Sequence, residues 1–301
     1  MDQLSTISRR ARLFPRDSAA SASPARPAQR LVWRLRWLWI VLAAGGGFLW
    51  ASSTRMPSGP AAGTSFDGTP SANVARRTIR VGVFNIHGGR GVDRRRDIGR
   101  TADVLRGLDI AGLNEVLGPK LWWQTDQCRQ LGDQLDVRWL FAPTESRWWD
   151  GSFGNGMLTT LPVVSWQRIP LPLAGAHTYR NIVLTSVEVD GRRVQVLLTH
   201  LDSRDNERRQ EQLRTAGSLF LAISEPAILM GDMNSVPNDA EIERLLSAPG
   251  VVDAVAASMP QVPENRIDWI FVRGLRSVAS GCENNGASDH SLWWAELELP
   301  D

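Results

Sequence analysis

In ILMGDMNSVPND, residues 228–239, a short apolar run is followed at once by an acid and an amide, Asp232 and Asn234. The arrangement recurs along the chain. Asn85 closes TIRVGVFN (78–85), Asn114 and Glu115 close LDIAGLNE (108–115), and Thr199 and His200 close VQVLLTH (194–200). Asp268 stands at the start of IDWIFV (267–272), and Ser288-Asp289-His290 precede SLWWAELEL (291–299). Taken singly, such residues are ordinary turn formers or helix caps. Six sites together, all supplying oxygen donors or imidazoles, suit a hard divalent cation: Mg²⁺, with Mn²⁺ or Ca²⁺ as alternatives. Zinc would call for more histidine or cysteine. A hard cation held by a few carboxylates, with positions open to water and substrate, serves phosphoryl chemistry. The chain has no GxxxxGK[ST] loop and no GxSxG elbow, which excludes a P-loop nucleotide hydrolase and a nucleophile-elbow hydrolase.

Rigid elements must aim these side chains. The apolar runs are short and rich in β-branched residues, as strands are; NIVLTSVEV (181–189) and AILMGDMN (227–234) belong to the same set. Helical spacing appears in DIGRTADVLRGL (97–108) and in NERRQEQLRTAGSLFLAIS (206–224), where Leu213, Ala216, Phe220 and Ile223 form one apolar face. Strands alternating with helices predict a layered α/β fold over residues 77–301. In such folds sites gather at strand ends, where the sheet fixes side chains and the loops stay open.

The N-terminus has a different character. Residues 1–36 carry eight arginines and two aspartates, and without them the chain has 26 basic and 30 acidic residues. The overall charge of +2 gives no whole-protein case for binding nucleic acid. Residues 37–54, WLWIVLAAGGGFLWASST, carry no charge and approach the roughly 20 apolar residues that span a bilayer. Trp33, Trp37, Trp39 and Trp50 lie near the ends of that stretch, as interfacial aromatics do. Arginine before the span and little charge after it predict a single-pass protein, with residues 1–36 cytoplasmic and the catalytic domain outside. A secreted form follows if the anchor is cleaved at the small residues Ala51-Ser52-Ser53. Residues 55–76, rich in Pro, Gly, Ser and Ala, predict a flexible linker. Cys128 and Cys282 leave one disulfide open.

The ordered series VGVFNIHGG, GLNEV, GNGMLTTLPV, LLTHLDS, ILMGDMNSVP, RIDWIFV and SDHSLWWAELEL, over residues 78–299, resembles the endonuclease/exonuclease/phosphatase superfamily of deoxyribonuclease-like, metal-dependent phosphoesterases. The resemblance implies a four-layered α/β sandwich with two central mixed sheets. It implies Glu115, Asn85 and Asp289 as metal-side residues. Asp232 would orient or deprotonate the attacking water, and Asn234 would hold phosphate or nucleophile. His290 would stabilise charge on the phosphoryl oxygens, with Asp268 orienting it, and His200 would contact the scissile phosphate. Asn114 departs from the family's usual glutamine, Met233 from Phe or Leu, and Ser291 from Pro. No acid corresponding to a support for His200 stands out, Glu145 being a weak candidate. His87 reads as a turn cap, His177 as a solvated loop residue, and the pairs Trp122-Trp123 and Trp148-Trp149 as packing residues.

The expected function is hydrolysis of a phosphoester, in nucleic acid or a phospholipid head group, by in-line attack of an activated water. The helix would bring the enzyme to the membrane, and no obligate protein partner is implied. The alternative is a non-catalytic binding module on the same fold. That alternative expects loss of Glu115, Asp232, Asp289 or His290, and all four are present.

Overall fold

A computed structural model describes residues 27–57, 59–68, 77–120, 125–147, 151–172 and 178–300. Two compact units divide the chain after Trp50. The first holds all but the last two residues of helix α1, Pro27–Ser52, which begins ten residues before the predicted span because Arg34 and Arg36 are good helix formers and extend it. Its Leu31–Trp50 stretch has a mean hydropathy of 1.2 and is fully exposed. That is long and apolar enough to cross a membrane by length and composition, a test that an N-terminal signal sequence also passes.

The second unit contains strands β1 (Ala62–Gly63), β2 (Thr78–Asn85), β3 (Ile110–Leu117), β4 (Arg138–Arg147), β5 (Gly151–Thr159), β6 (Val163–Pro170) and β7 (Asn181–Val189). They are followed by β8 (Arg192–His200), β9 (Ala227–Asp232), β10 (Val252–Asp253), β11 (Asp268–Arg273), β12 (Arg276–Glu283) and β13 (Leu292–Glu298). The helices are α2 (Ile98–Leu105), α3 (Gln127–Leu135), α4 (Asn206–Ala222) and α5 (Ala240–Leu246). Two mixed sheets result, ordered β1-β6-β7-β8-β9-β11-β10 and β12-β13-β2-β3-β5-β4. Each has one parallel pair near its middle, β8 with β9 and β2 with β3.

Strand alternation sorts the core into layers. Val81 and Val83 of β2, Leu198 of β8, Met230 of β9 and Ile270 of β11 meet between the two sheets. On the outer faces, Leu197, Leu229 and Phe271 pack with Leu213 and Phe220 of α4, while Phe84 and Leu113 pack with Leu105 of α2 and Leu131 of α3. The result is the predicted four-layered sandwich. An aspartate caps the N-terminus of each described α-helix in this unit: Asp97, Asp126, Asp205 and Asp239 each accept a backbone N–H of the first turn. These acids carry out the capping role that sequence alone leaves open for the strand-end acids.

Part of the expected linker is ordered onto this unit. β1 pairs with β6, Arg55 and Asp67 bridge to Ser146 and Trp139, and Phe66 is buried in the core between the sheets. One large apolar side chain and exposed backbone edges on β4 and β6 give the segment partners that composition does not reveal. The two cysteines do not pair: Cys128 is buried under β5 and Cys282 is exposed on β12.

Candidate active site

Register brings the polar strand ends together. His200 of β8 lies beside Asp232 of β9, and Asp232 lies beside Asp268 of β11. In the other sheet Asn85 lies beside Asn114. Counting by twos, Asn85, His200, Asp232 and Asp268 continue the rows of Val83, Leu198, Met230 and Ile270, which face the space between the sheets. The apolar layer therefore ends in a buried polar mouth. Glu115 is one residue out of phase with Asn114. A register shift between Leu113 and Val116 marks a bulge there, with Glu115 at φ 57°. The left-handed backbone is uncommon for a non-glycine residue. It leaves the carboxylate in reach of Asn85, whose Nδ2 donates to Glu115 Oε1 at 3.3 Å and to Asp232 Oδ2 at 3.0 Å.

The turn after β9 follows from one close approach. A Cβ on Gly231 would lie 1.9 Å from the Thr199 carbonyl oxygen, so a side chain there would collide with β8. Beyond it, the Asn234 N–H donates to Asp232 Oδ1 at 2.9 Å and Asn234 Nδ2 to the Leu201 carbonyl at 3.2 Å. Met233 between them is fully buried against the α4 layer.

Asp232 Oδ2 is the hub, lying 3.6 Å from His200 Nε2 and 3.8 Å from His290 Nε2. His290 Nδ1 is 2.8 Å from Asp268 Oδ2. Burial opposes the imidazolium of His290, but the Asp268 hydrogen bond and the charges of Asp268, Asp232 and Asp289 outweigh it and raise its pKa to about 9. Burial and the neighbouring Asp268 raise Asp232 to about 6. Asp268 is also raised, by burial first, with His290 opposing. His200 is driven well below its ordinary value by burial and by the cations Arg180 and His290, so it is neutral. The pair of imidazoles around Asp232 thus divides into one charged and one neutral ring. Ser288 fastens the loop that carries His290 by donating from Oγ to the Asn85 carbonyl at 2.7 Å.

The expected metal-side residues are arranged unequally. Glu115 and Asn85 touch, whereas Asp289 is more than half exposed and lies 3.2 Å from His87 Nδ1. His87 therefore does more than shape its turn. Among the described residues the tight acid and imidazole group is Asp232, Asp268 and His290, with one atom of each within 4.8 Å of the others. Asp268 Oδ2 and His290 Nδ1 face one another at hydrogen-bond distance, which makes that trio a proton-holding pair beside an acid more than a ligand cage. The carboxylates of Glu115 and Asp232, bridged by the Asn85 amide nitrogen while Asn85 Oδ1 accepts the His87 N–H, bring together oxygen ligands of the kind a hard cation takes.

A sequence model of the Endonuclease/Exonuclease/phosphatase family matches residues 82–290, which hold every one of these side chains. The chain belongs to this family. Its members are phosphoesterases, nucleases and phosphatases among them, and generally use divalent metal ions. A solved endonuclease/exonuclease/phosphatase from Beutenbergia cavernae is 25% identical, with a TM-score of 0.65 over 74% of this chain and 72% of that one. The human Nocturnin catalytic domain is similar in fold at 20% identity, TM-score 0.60, over 76% and 96% of the two chains. A mannosyl-6-phosphatase from Bacteroides thetaiotaomicron is similar at 17% identity, TM-score 0.57, over 73% and 100%. No curated protein sequence matches this chain.

Within this family fold, three buried amides support the site, Asn114 from the motifs and Asn155 and Asn181, which the motifs do not single out. Asn114 Oδ1 accepts the Asp232 N–H at 2.8 Å, and its Nδ2 donates to Asn155 Oδ1 at 2.8 Å. Asn155 in turn donates to Asn181 Oδ1 at 3.0 Å, so the chain of amides ties one sheet to the other beneath Asp232. Asn114 replaces the usual glutamine with a shorter amide that meets the strand beside it directly. The visible signal was an amide inside an otherwise apolar strand, in GLNE, GNG and RNIV. Arg180, buried at the start of β7, was also missed. Trp122, Trp123, Trp148, Trp149 and His177 lie outside the described residues.

Proposed function

We propose that the chain is a membrane-anchored, divalent-metal-dependent phosphodiesterase, acting on nucleic acid or a phospholipid head group by in-line attack of water. The observation that carries the reading is Asp232 Oδ2 set between two imidazoles, with His290 paired to Asp268 at 2.8 Å. Ionised above about 6, Asp232 accepts a proton from the attacking water and holds it in line. His290, protonated below about 9, donates to a phosphoryl oxygen where charge develops. Asp268 fixes the tautomer and orientation of His290 through Nδ1. Neutral His200 donates one ring N–H to the scissile phosphate, and Asn234 holds phosphate or nucleophile with its second amide N–H. Glu115, Asn85 and Asp289 would hold Mg²⁺, with Mn²⁺ or Ca²⁺ as alternatives, which when bound supplies Lewis-acid stabilisation of phosphoryl charge.

Hydrolysis of bis-p-nitrophenyl phosphate, plasmid DNA and phospholipid vesicles by the full chain in detergent tests this. Turnover of at least one substrate is expected with Mg²⁺ and is expected to stop in EDTA. No turnover of any of them would support the binding-module alternative.

The anchor reading rests on the exposed, uncharged C-terminal part of α1 from Trp37 onward and on the arginines of residues 1–36. A periplasmic-type activity reporter fused after residue 75 is expected to be active outside the cytoplasm. Activity of a cytoplasmic reporter at the same junction would reverse the topology.

A further inference from the structure

We propose that Arg180 forms an anion subsite beside the catalytic centre and holds a second phosphate group of the substrate there. The inference rests on the phosphodiesterase reading and adds the substrate's charge pattern to it. Arg180 is 8% exposed, and its guanidinium makes no hydrogen bond or ion pair with any described residue. Its buried Nε is without a partner. A guanidinium offers five N–H donors in a rigid fork, and a buried cation is costly unless it is paired. Arg180 and Glu115 line the same cleft of about 520 Å³, so the cleft reaches the metal-side residue of the candidate site.

Two of the three acids lining that cleft are engaged by other groups. Asp202 is engaged by Arg208 Nη1 at 2.8 Å and by the backbone N–H groups of Arg204 and Asp205. Glu115 is engaged by Asn85. Burial lowers the pKa of Arg180, and the negative charges of Asp202, Glu145, Glu115 and Asp232 oppose that lowering. Exposed Arg96 and Arg204 stand at the rim of the same cleft. The charged lining of the cleft is thus four cations, Arg96, Lys120, Arg180 and Arg204, with three acids, Glu115, Glu145 and Asp202. The fork of an arginine matches two oxygens of a phosphate, and a phosphate within this cleft lies beside the one being hydrolysed. The second phosphate has two natural sources, the neighbouring linkage or terminal phosphate of a nucleotide chain and a phosphorylated lipid head group.

The test uses the full chain in detergent with wild type, Arg180→Met and Arg180→Lys, each first checked for an unchanged melting temperature. Inorganic phosphate is titrated without metal and followed calorimetrically. Arg180→Met is expected to weaken phosphate binding by about tenfold or more, the scale of one charge-assisted contact, with Arg180→Lys in between. Turnover is then compared for thymidylyl-thymidine with and without a terminal phosphate, and for vesicles of phosphatidylcholine and phosphatidylinositol 4-phosphate. In wild type kcat/KM is expected to favour the phosphate-bearing member of at least one pair, which also identifies the source, and Arg180→Met is expected to erase that preference. Equal phosphate binding in wild type and Arg180→Met, or a preference that survives Arg180→Met, overturns the subsite. If Arg180→Met does not fold, the same two readouts in Arg180→Lys decide, since loss of bidentate geometry still lowers both. Wild type that binds phosphate through Arg180 yet hydrolyses nothing would sink the catalytic reading and leave the subsite standing.

Discussion

Replacing His290 with alanine lowers kcat/KM on bis-p-nitrophenyl phosphate by about 10³-fold, the scale of a preorganised donor that is also a proton donor. The expectation follows from the environment of His290. Its ring is mostly buried, its Nδ1 is held by Asp268 at 2.8 Å, and its Nε2 faces Asp232. Three carboxylates keep it charged up to about pH 9 despite burial. The variant removes that charge from a water-poor setting where nothing else replaces it, because His200 is neutral. It also leaves Asp268 buried without its partner. Loss of activity is therefore expected together with a measurable fall in melting temperature. A variant with a lowered melting temperature and wild-type kcat/KM would remove His290 from the chemistry while leaving its structural role.

Asp232→Asn is the second large effect, about 10²- to 10⁴-fold in kcat, since an amide has the carboxylate's shape but cannot take the proton of water. The substitution has a structural cost as well. Asp232 Oδ1 accepts from the Asn234 N–H and Oδ2 from Asn85 Nδ2, so the amide NH₂ of the variant must face one of those donors. Leaving such a donor unsatisfied costs about 1–3 kcal/mol. A kcat unchanged at pH 8 in a folded variant would exclude Asp232 as the base.

Much of this was legible in sequence because each site residue ends or begins a strand whose apolar pattern is strong. β2 and β7 have the bounds read from TIRVGVFN and NIVLTSVEV. β6 and β12 were not read because they are half-exposed strands with little apolar alternation. β5 is masked by its glycines. Gly156 is one of them because a Cβ there would lie 2.1 Å from Cys128 Sγ, a packing constraint that no local pattern carries. The ordered part of the expected linker was hidden for a related reason, since its strand needs a partner 105 residues away, Ala62 facing Gln167. In the site, residue types suggested roles but carried no distances. Asp289 was grouped with Glu115 and Asn85, yet it reaches toward His87, and Arg180 and the amides Asn155 and Asn181 enter through register between strands far apart in sequence.

The most direct test of the account is the pH dependence of kcat/KM for bis-p-nitrophenyl phosphate, measured on the full chain in saturating Mg²⁺ from pH 5 to 10. Asp232 must be ionised, so the rate is expected to rise as pH passes through about 6. His290 must be protonated, so the rate is expected to fall as pH passes through about 9. A bell with those two limbs, its alkaline limb absent in His290→Ala, is the expected result. Wild-type rates no higher than those of His290→Ala at every pH would contradict it.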